Sequence, residues 1–316
     1  MRAQRGFAEG IEVMANTTKL TLTQKELNDK LITAAESGDV ESVNGLIEKG
    51  ADVNAGISFG GTALHRAASG GHVDVAMILI ANGANVNTKN KYRATALHLA
   101  AWNGNVEVVK ILIESGADVN SKDKDRWTAL HYAASNEHAD VVKILIEMGT
   151  EVNARDEDKN TALHDAAWKG HIKVAMILIK SGVDVDARDN EGRTALHLAA
   201  LKGHVDVAKI LIESGANVNA QNKSKETALH RAAMEGHVEV AKILIESGVD
   251  VDSKDKDGMT AQDIATQNNN YEIVELIENA KKTIRVAYKD IDILNIDMDE
   301  LVRRADESAK RICRWD

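Results

Sequence analysis

The sequence predicts an all-α solenoid of stacked helix-turn-helix units, and three observations carry that expectation. The tetrapeptide "TALH" starts at residues 62, 95, 128, 161, 194 and 227, with an altered copy, "TAQD", at 260, so that the chain repeats itself every 33 residues. Glycines keep the same step, with Gly38, Gly71, Gly104, Gly170, Gly203 and Gly236 in one row and Gly50, Gly83, Gly116, Gly149, Gly182, Gly215 and Gly248 in another. Between them, apolar residues recur at helical spacing.

Residues 1–22 form an N-terminal segment that reads as flexible and has no apolar stretch long enough for a secretion signal. Residues 23–56 read as a polar N-terminal capping repeat: Thr23 and Glu26 make a capping-box pattern, and Asp29 and Ile32 replace the Thr and His of the tetrapeptide. Residues 57–254 hold six full repeats, of which "TALHLAALKGHVDVAKILIESGANVNA" at 194–220 is representative. Thr194 caps a short helix whose Leu196, Ala199 and Ala200 share a stripe, and Gly203 ends it with a left-handed turn. From His204 a second helix presents Val205, Val207, Ala208, Ile210, Leu211 and Ile212 on one broad face and stops at Gly215. Such a pair is apolar on two sides and must stack on its neighbours. Glu137 stands where other copies have the first glycine, and a left-handed conformation there costs about 1–2 kcal/mol. Residues 255–281 form a closing C-terminal capping repeat, with Gln262 and Asp263 in place of Leu and His and Tyr271 at a core position. Residues 282–316 lie outside the period, as an extension in which Leu301, Ala305, Ala309 and Ile312 form an amphipathic pattern behind Asp297 and Glu300. That helix either covers the end of the stack or serves as a separate partner-binding helix or tail.

The chain resembles the ankyrin-repeat family through "T-A-L-H-x-A-A-x-x-G-H", "V-A-K-I-L-I-x-x-G-A-x-V-N-A" and the 33-residue step, over about residues 24–281. The resemblance implies paired antiparallel helices with a β-hairpin or loop projecting from each junction. Two features depart from the family. Proline, which usually follows the Thr, is absent from the whole chain, and Ala63, Ala96, Ala129, Ala162, Ala195, Ala228 and Ala261 take its place. Losing a preset φ costs about 0.4–1 kcal/mol per site, and alanine's helix propensity returns part of it. Hairpin glycine survives at Gly60, Gly192 and Gly258 and becomes Arg93, Arg126, Lys159 and Lys225 elsewhere, which adds cations to the tips.

Composition narrows the function. A formal charge of −10 argues against nucleic acid as a partner. The single cysteine, Cys313, allows no internal disulfide and no thiol zinc site, which points to a reducing, cytoplasmic setting. There "NTT" at Asn16, a chance sequon, is never glycosylated. No window approaches the roughly 18 apolar residues of a membrane span. All eleven histidines belong to the repeat, in "TALH" or the "GH" slot. Equivalent positions one repeat apart sit about 8–10 Å from each other, whereas zinc needs nitrogen ligands about 2 Å from one ion, so the imidazoles read as structural hydrogen-bonders. "DEDKN" at 156 and "DKDGM" at 255 lack the sixth-position glycine and twelfth-position glutamate of a calcium loop. No nucleophile elbow or phosphate loop is present. No cofactor and no enzyme activity are expected.

Function then rests on the positions that vary between copies. By resemblance these are the hairpin tip and the exposed side of the first helix, which line a concave groove. They hold Phe59, Arg66, Lys91, Tyr92, Arg93, Leu99, Trp102, Arg126, Trp127, Tyr132, Trp168, Lys169, Leu198 and Leu201, together with Asp165 and Lys202. Six of the ten aromatic residues are among them. The rings either contact a partner or pack along the groove floor and stiffen it. The first reading makes the chain a non-catalytic adaptor, inhibitor or effector, monomeric without its partner, with a protein-binding groove centred on the second to fourth full repeats. Lys91, Arg93 and Arg126 would draw in an acidic partner. Two alternatives are an engineered or consensus-like scaffold without a natural ligand, suggested by the near-identical "VDVAKILIESG" and "VEVAKILIESG", and a self-assembling structural protein.

Overall fold

The computed structural model describes residues 22–56, 61–289 and 303. These divide into two compact units, one ending at Asp118 and one starting at Val119. The first holds α1 (Gln24–Ser37), α2 (Val40–Glu48), α3 (Ala63–Gly70), α4 (Val73–Ala81), α5 (Ala96–Asn103) and α6 (Val106–Glu114). The second holds α7 (Ala129–Ser135), α8 (Ala139–Glu147), α9 (Ala162–Lys169), α10 (Ile172–Lys180), α11 (Ala195–Lys202), α12 (Val205–Glu213), α13 (Ala228–Glu235), α14 (Val238–Glu246), α15 (Ala261–Gln267) and α16 (Tyr271–Lys289). The fold is all-α.

Within the first unit α1, α3 and α5 pack in one row and α2, α4 and α6 in another. The second unit repeats this with α7, α9, α11, α13 and α15 in one row and the alternate helices α8 to α16 in the other. Leu64, Leu97, Leu130, Leu163, Leu196 and Leu229 of the first-row helices are fully buried, as are Leu79, Leu112, Leu145, Leu178, Leu211 and Leu244 of the second row. Each contributes about 1.5–3 kcal/mol by leaving water. The cores are therefore thin aliphatic layers built by Leu, Val and Ala.

Histidine completes the helix starts. In α3, His65 Nδ1 accepts the Thr62 N–H at 3.2 Å and lies 2.9 Å from Thr62 Oγ1, while Nε2 lies 3.1 Å from the Ala94 carbonyl of the next copy. A carbonyl only accepts, so the proton sits on Nε2 and Nδ1 is the acceptor. The ring thus does the work that Glu or Gln does in an ordinary capping box and also ties one repeat to the next. Asparagine supplies a second tie: Asn54 Oδ1 accepts the Asn85 N–H at 2.8 Å, and its Nδ2 donates to the Gly83 carbonyl at 2.9 Å. Asn219 Oδ1 accepts the Asp250 N–H at 2.7 Å in the same way.

The interhelix turns need the left-handed region. Gly170 has φ 78°, and a Cβ there would lie 2.6 Å from His204 Nδ1. Glu137 adopts φ 63° at the matching turn. At the loop tips Arg93, Arg126, Lys159 and Lys225 take φ between 59° and 64°, the same conformation as Gly192 and Gly258, so the cationic tips keep the glycine geometry and bear its strain. The loops close by local pairs instead of ladders. Asp123 N–H donates to the Trp127 carbonyl at 3.0 Å, Arg126 N–H donates back to the Asp123 carbonyl at 3.3 Å, and Asp123 Oδ1 accepts the N–H groups of Asp125 and Trp127. Among the described residues only isolated antiparallel bridges occur, Gly56 with Thr62 and Lys254 with Thr260.

Two expectations change at the C-terminal end. Tyr271 is exposed and donates its hydroxyl to Asn269 Oδ1 at 2.9 Å; Ile273 and Ile277 fill the core instead. The helix that begins there runs on to Lys289, past residue 281, held by Lys281 Nζ at 2.8 Å from Asp252 Oδ1 and 3.0 Å from Gln262 Oε1. Arg303 is helical and exposed, and Leu301, Ala305, Ala309 and Ile312 lie outside the described residues.

Candidate functional site

The shared positions of each copy are consumed by core and ties, which leaves the loop tips and the outer side of the first-row helices for other work. In the first unit Arg66 is half-buried, its Nη1 3.4 Å from Glu36 Oε1. Lys91 Nζ stands 4.7 Å from the centroid of the Tyr92 ring. Tyr92 is 48% exposed and Trp102 51% exposed, exposures at which an aromatic ring contributes little to a core. Arg93 is exposed at its tip, and Leu99 is half-buried. Phe59 lies outside the described residues.

In the second unit Arg126 is exposed and Trp127 half-buried, the indole 5.0 Å from Tyr132 and 5.9 Å from His131 between ring centroids. Tyr132 donates its hydroxyl to Asp123 Oδ2 at 2.6 Å. Burial and then the Asp123 carboxylate push the phenol well above its ordinary range, so it stays a donor. Trp168 is 38% exposed, and Lys202 Nζ stands 3.9 Å from its ring centroid. That is a cation–π contact. Lys169 is exposed and Leu201 half-buried. Leu198 is a correction: packed between α9 and α13, it is 3% exposed and belongs to the core, so it presents nothing to a ligand.

The sequence pattern passes over several apolar side chains that reach solvent. Met77 lies on α4, Met176 on α10 and Met148 just after α8; all are exposed. Met77 and Met176 occupy the slot that Lys110, Lys143, Lys209 and Lys242 fill in other copies, so the repeat register already marks that slot as solvent-facing.

The histidines of the repeat are held in hydrogen bonds that tie neighbouring copies together. In four second-unit copies the tetrapeptide imidazole is engaged at both nitrogens, with His131, His164, His197 and His230 Nε2 lying 3.0–3.2 Å from the carbonyls of Asn160, Arg193, Glu226 and Met259. Burial pulls their pKa values down, to about 4 for His131 and His197. The "GH" imidazoles reach back instead, His204 to the Trp168 carbonyl at 3.1 Å and His237 to the Leu201 carbonyl at 3.1 Å. Among the described residues no group of three or more His, Cys, Asp or Glu is placed to hold a metal ion, and no helix is long and apolar enough to cross a membrane.

The family model described as ankyrin repeats (3 copies) matches residues 31–123, 115–189, 155–222 and 218–287. No curated protein matches the chain.

Proposed function

Since the chain belongs to the ankyrin-repeat family, whose repeats are generally protein–protein interaction modules and typically non-catalytic, we propose that it is an adaptor, inhibitor or effector that binds a protein partner through its loop tips and the outer side of its first-row helices. The observation that supports this reading is the placement of the large rings. Trp102 and Tyr92 in the first unit, and Trp168 in the second, sit in the slots that vary between copies and are between about a third and a half exposed. An aromatic side chain buries about 150–250 Å², and a standard interface takes about 800 Å² from each partner. Arg66, Lys91, Arg93 and Leu99 would complete the contact surface of the first unit, and Arg126, Trp127, Tyr132, Lys169 and Leu201 that of the second. Trp, Tyr and Arg are the types over-represented in binding hot spots. The tip cations would steer a partner of net acidic character. A reducing cytoplasm suits a chain whose single cysteine forms no internal disulfide.

The test is capture of partners by the intact chain, identified by mass spectrometry, against a chain carrying Trp102→Ala and Trp168→Ala. Both indoles are more than a third exposed, so the double variant should keep its helical circular dichroism and lose the captured protein. Capture that survives both changes refutes the aromatic surface. Light scattering that rises with concentration and disappears in the double variant would assign the rings to self-association instead.

A further inference from the structure

The slot after the tetrapeptide holds Arg66, Leu99, Tyr132, Asp165, Leu198 and Arg231 in successive copies. Where the residue is polar it has an acidic partner: Arg66 faces Glu36, Tyr132 donates to Asp123, and Arg231 Nη2 lies 2.6 Å from Glu226 Oε2. Asp165 departs from this. Its Oδ2 is shut off from solvent and takes no hydrogen bond, and among the described residues nothing donates to either of its side-chain oxygens. A buried loop residue of the same copy, Asp156, is a second carboxylate. It is already committed to its own loop, with Oδ1 accepting the Asn160 N–H at 2.7 Å and Oδ2 accepting from Asn160 Nδ2 at 3.1 Å. One copy earlier the corresponding pair, Asp123 and Tyr132, has a hydroxyl between them; here acid stands beside acid with no donor. Burial, and then Asp156, raise the Asp165 carboxyl well above the usual carboxylate range, with Lys169 acting against them.

Neither oxygen of an ionised Asp165 has a donor within the described chain, and an incoming donor would offset the cost of keeping that charge out of water. The adjacent surface already receives cations. Trp168, one helical turn beyond Asp165 on α9, carries the Lys202 ammonium 3.9 Å from its ring centroid. Neither Lys202 nor Lys169 forms an ion pair with Asp165. Asp165 as a whole is half-buried, so part of the residue remains within reach of a ligand. A metal ion fits less well, because no third ligand residue joins the two carboxylates.

We propose that Asp165, flanked by Trp168, receives a lysine or arginine side chain of the protein partner. This rests on the protein-binding reading above and adds the chemistry of one contact to it. It is compatible with a partner of net acidic character: steering acts on the whole field over about a Debye length, whereas Asp165 acts on one side chain in contact.

The experiment uses the full chain and three capped tripeptides, acetyl-Gly-Arg-Gly-amide, acetyl-Gly-Lys-Gly-amide and acetyl-Gly-Gln-Gly-amide, followed by NMR at the Trp168 indole N–H and the Asp165 carboxyl carbon. One or both cationic peptides should shift these signals saturably, the glutamine peptide should not, and Asp165→Asn should weaken binding at least tenfold. Asp206→Asn, an exposed acid on α12, should leave binding unchanged. Asp165→Leu should also abolish binding and should raise the melting temperature, since Leu99 and Leu198 already occupy the slot in other copies. Equal binding by the Asp165→Asn chain, equal binding of the glutamine peptide, or calcium chloride producing the same saturable shifts in place of the peptides would each overturn the assignment. A captured protein that binds the Asp165→Asn chain with unchanged affinity would overturn it too, while leaving the protein-binding reading intact.

Discussion

Acid should destabilise the second unit well above the pH at which its carboxylates titrate, and the tetrapeptide histidines set the size of the effect. His131 and His197 are almost wholly buried, each neutral, with Nδ1 accepting from a threonine and Nε2 donating to a carbonyl. Burial penalises the charged ring, and their pKa falls from 6.5 to about 4; a proton on Nδ1 would also break the first set of bonds. A histidine depressed in the folded state leaves stability untouched above its unfolded pKa. Stability then falls as pH drops from 6.5 toward 4, at about 1.36 kcal/mol per pH unit per group, because the unfolded chain binds protons that the folded chain refuses. Between pH 7.5 and pH 5.0 each histidine removes about 2 kcal/mol on this relation, so the pair removes about 4 kcal/mol, and below pH 4 the pair reaches about 7 kcal/mol. His164 and His230 act in the same direction. Asp165 acts oppositely: its raised folded pKa gives stability that is complete below the unfolded value and is lost as pH rises, so acidification recovers some. Urea denaturation at the two pH values, in the intact chain and in Asp165→Leu, measures the balance with and without that opposing group. Ring nitrogen NMR of the folded protein should show His131 and His197 still neutral at pH 5. Titration of either ring near 6.5, or denaturation midpoints equal at pH 7.5 and 5.0 in both chains, would refute the reasoning.

Other substitutions test the remaining links. Leu196→Ala or Leu229→Ala, each removing a side chain that is 1% exposed, should cost about 2–5 kcal/mol by opening a cavity, read as a lower melting temperature. Glu137→Gly relieves a left-handed non-glycine residue worth about 1–2 kcal/mol and returns about 0.4–1 kcal/mol to unfolded-chain entropy, so a small net gain in stability is expected by urea denaturation. Tyr132→Phe leaves Asp123 Oδ2 without its 2.6 Å donor while its loop bonds persist, and should cost about 1–3 kcal/mol in the same measurement.

How much was legible follows from the range over which each feature is determined. The helix pairs, their caps and their aliphatic cores are written locally, because a Thr start, a Leu two residues on and a glycine stop act within one or two turns and recur at a fixed step. Even the left-handed Glu137 follows from register alone. The sequence could also mark the slots that vary, and Trp102 and Trp168 lie open to solvent there. What it could not weigh is the neighbour one repeat away. Leu99 and Leu198 share a slot and a letter, yet one is half-buried and the other closed in by the helices on both sides. Tyr271 stands in a slot that is only half-buried at Val205 and Val238, and the core positions two and six residues on hold Ile273 and Ile277. Asn54 and Asn219 look like loop polarity until their amides are seen bridging to residues 31 further along. Asp165 differs from Tyr132 by what faces it: a carboxylate that welcomes a hydroxyl rejects another carboxylate. Periodicity therefore determined the scaffold by itself, whereas exposure and hydrogen-bond satisfaction were decided by tertiary packing, since both depend on atoms that stacking brings together from separate copies.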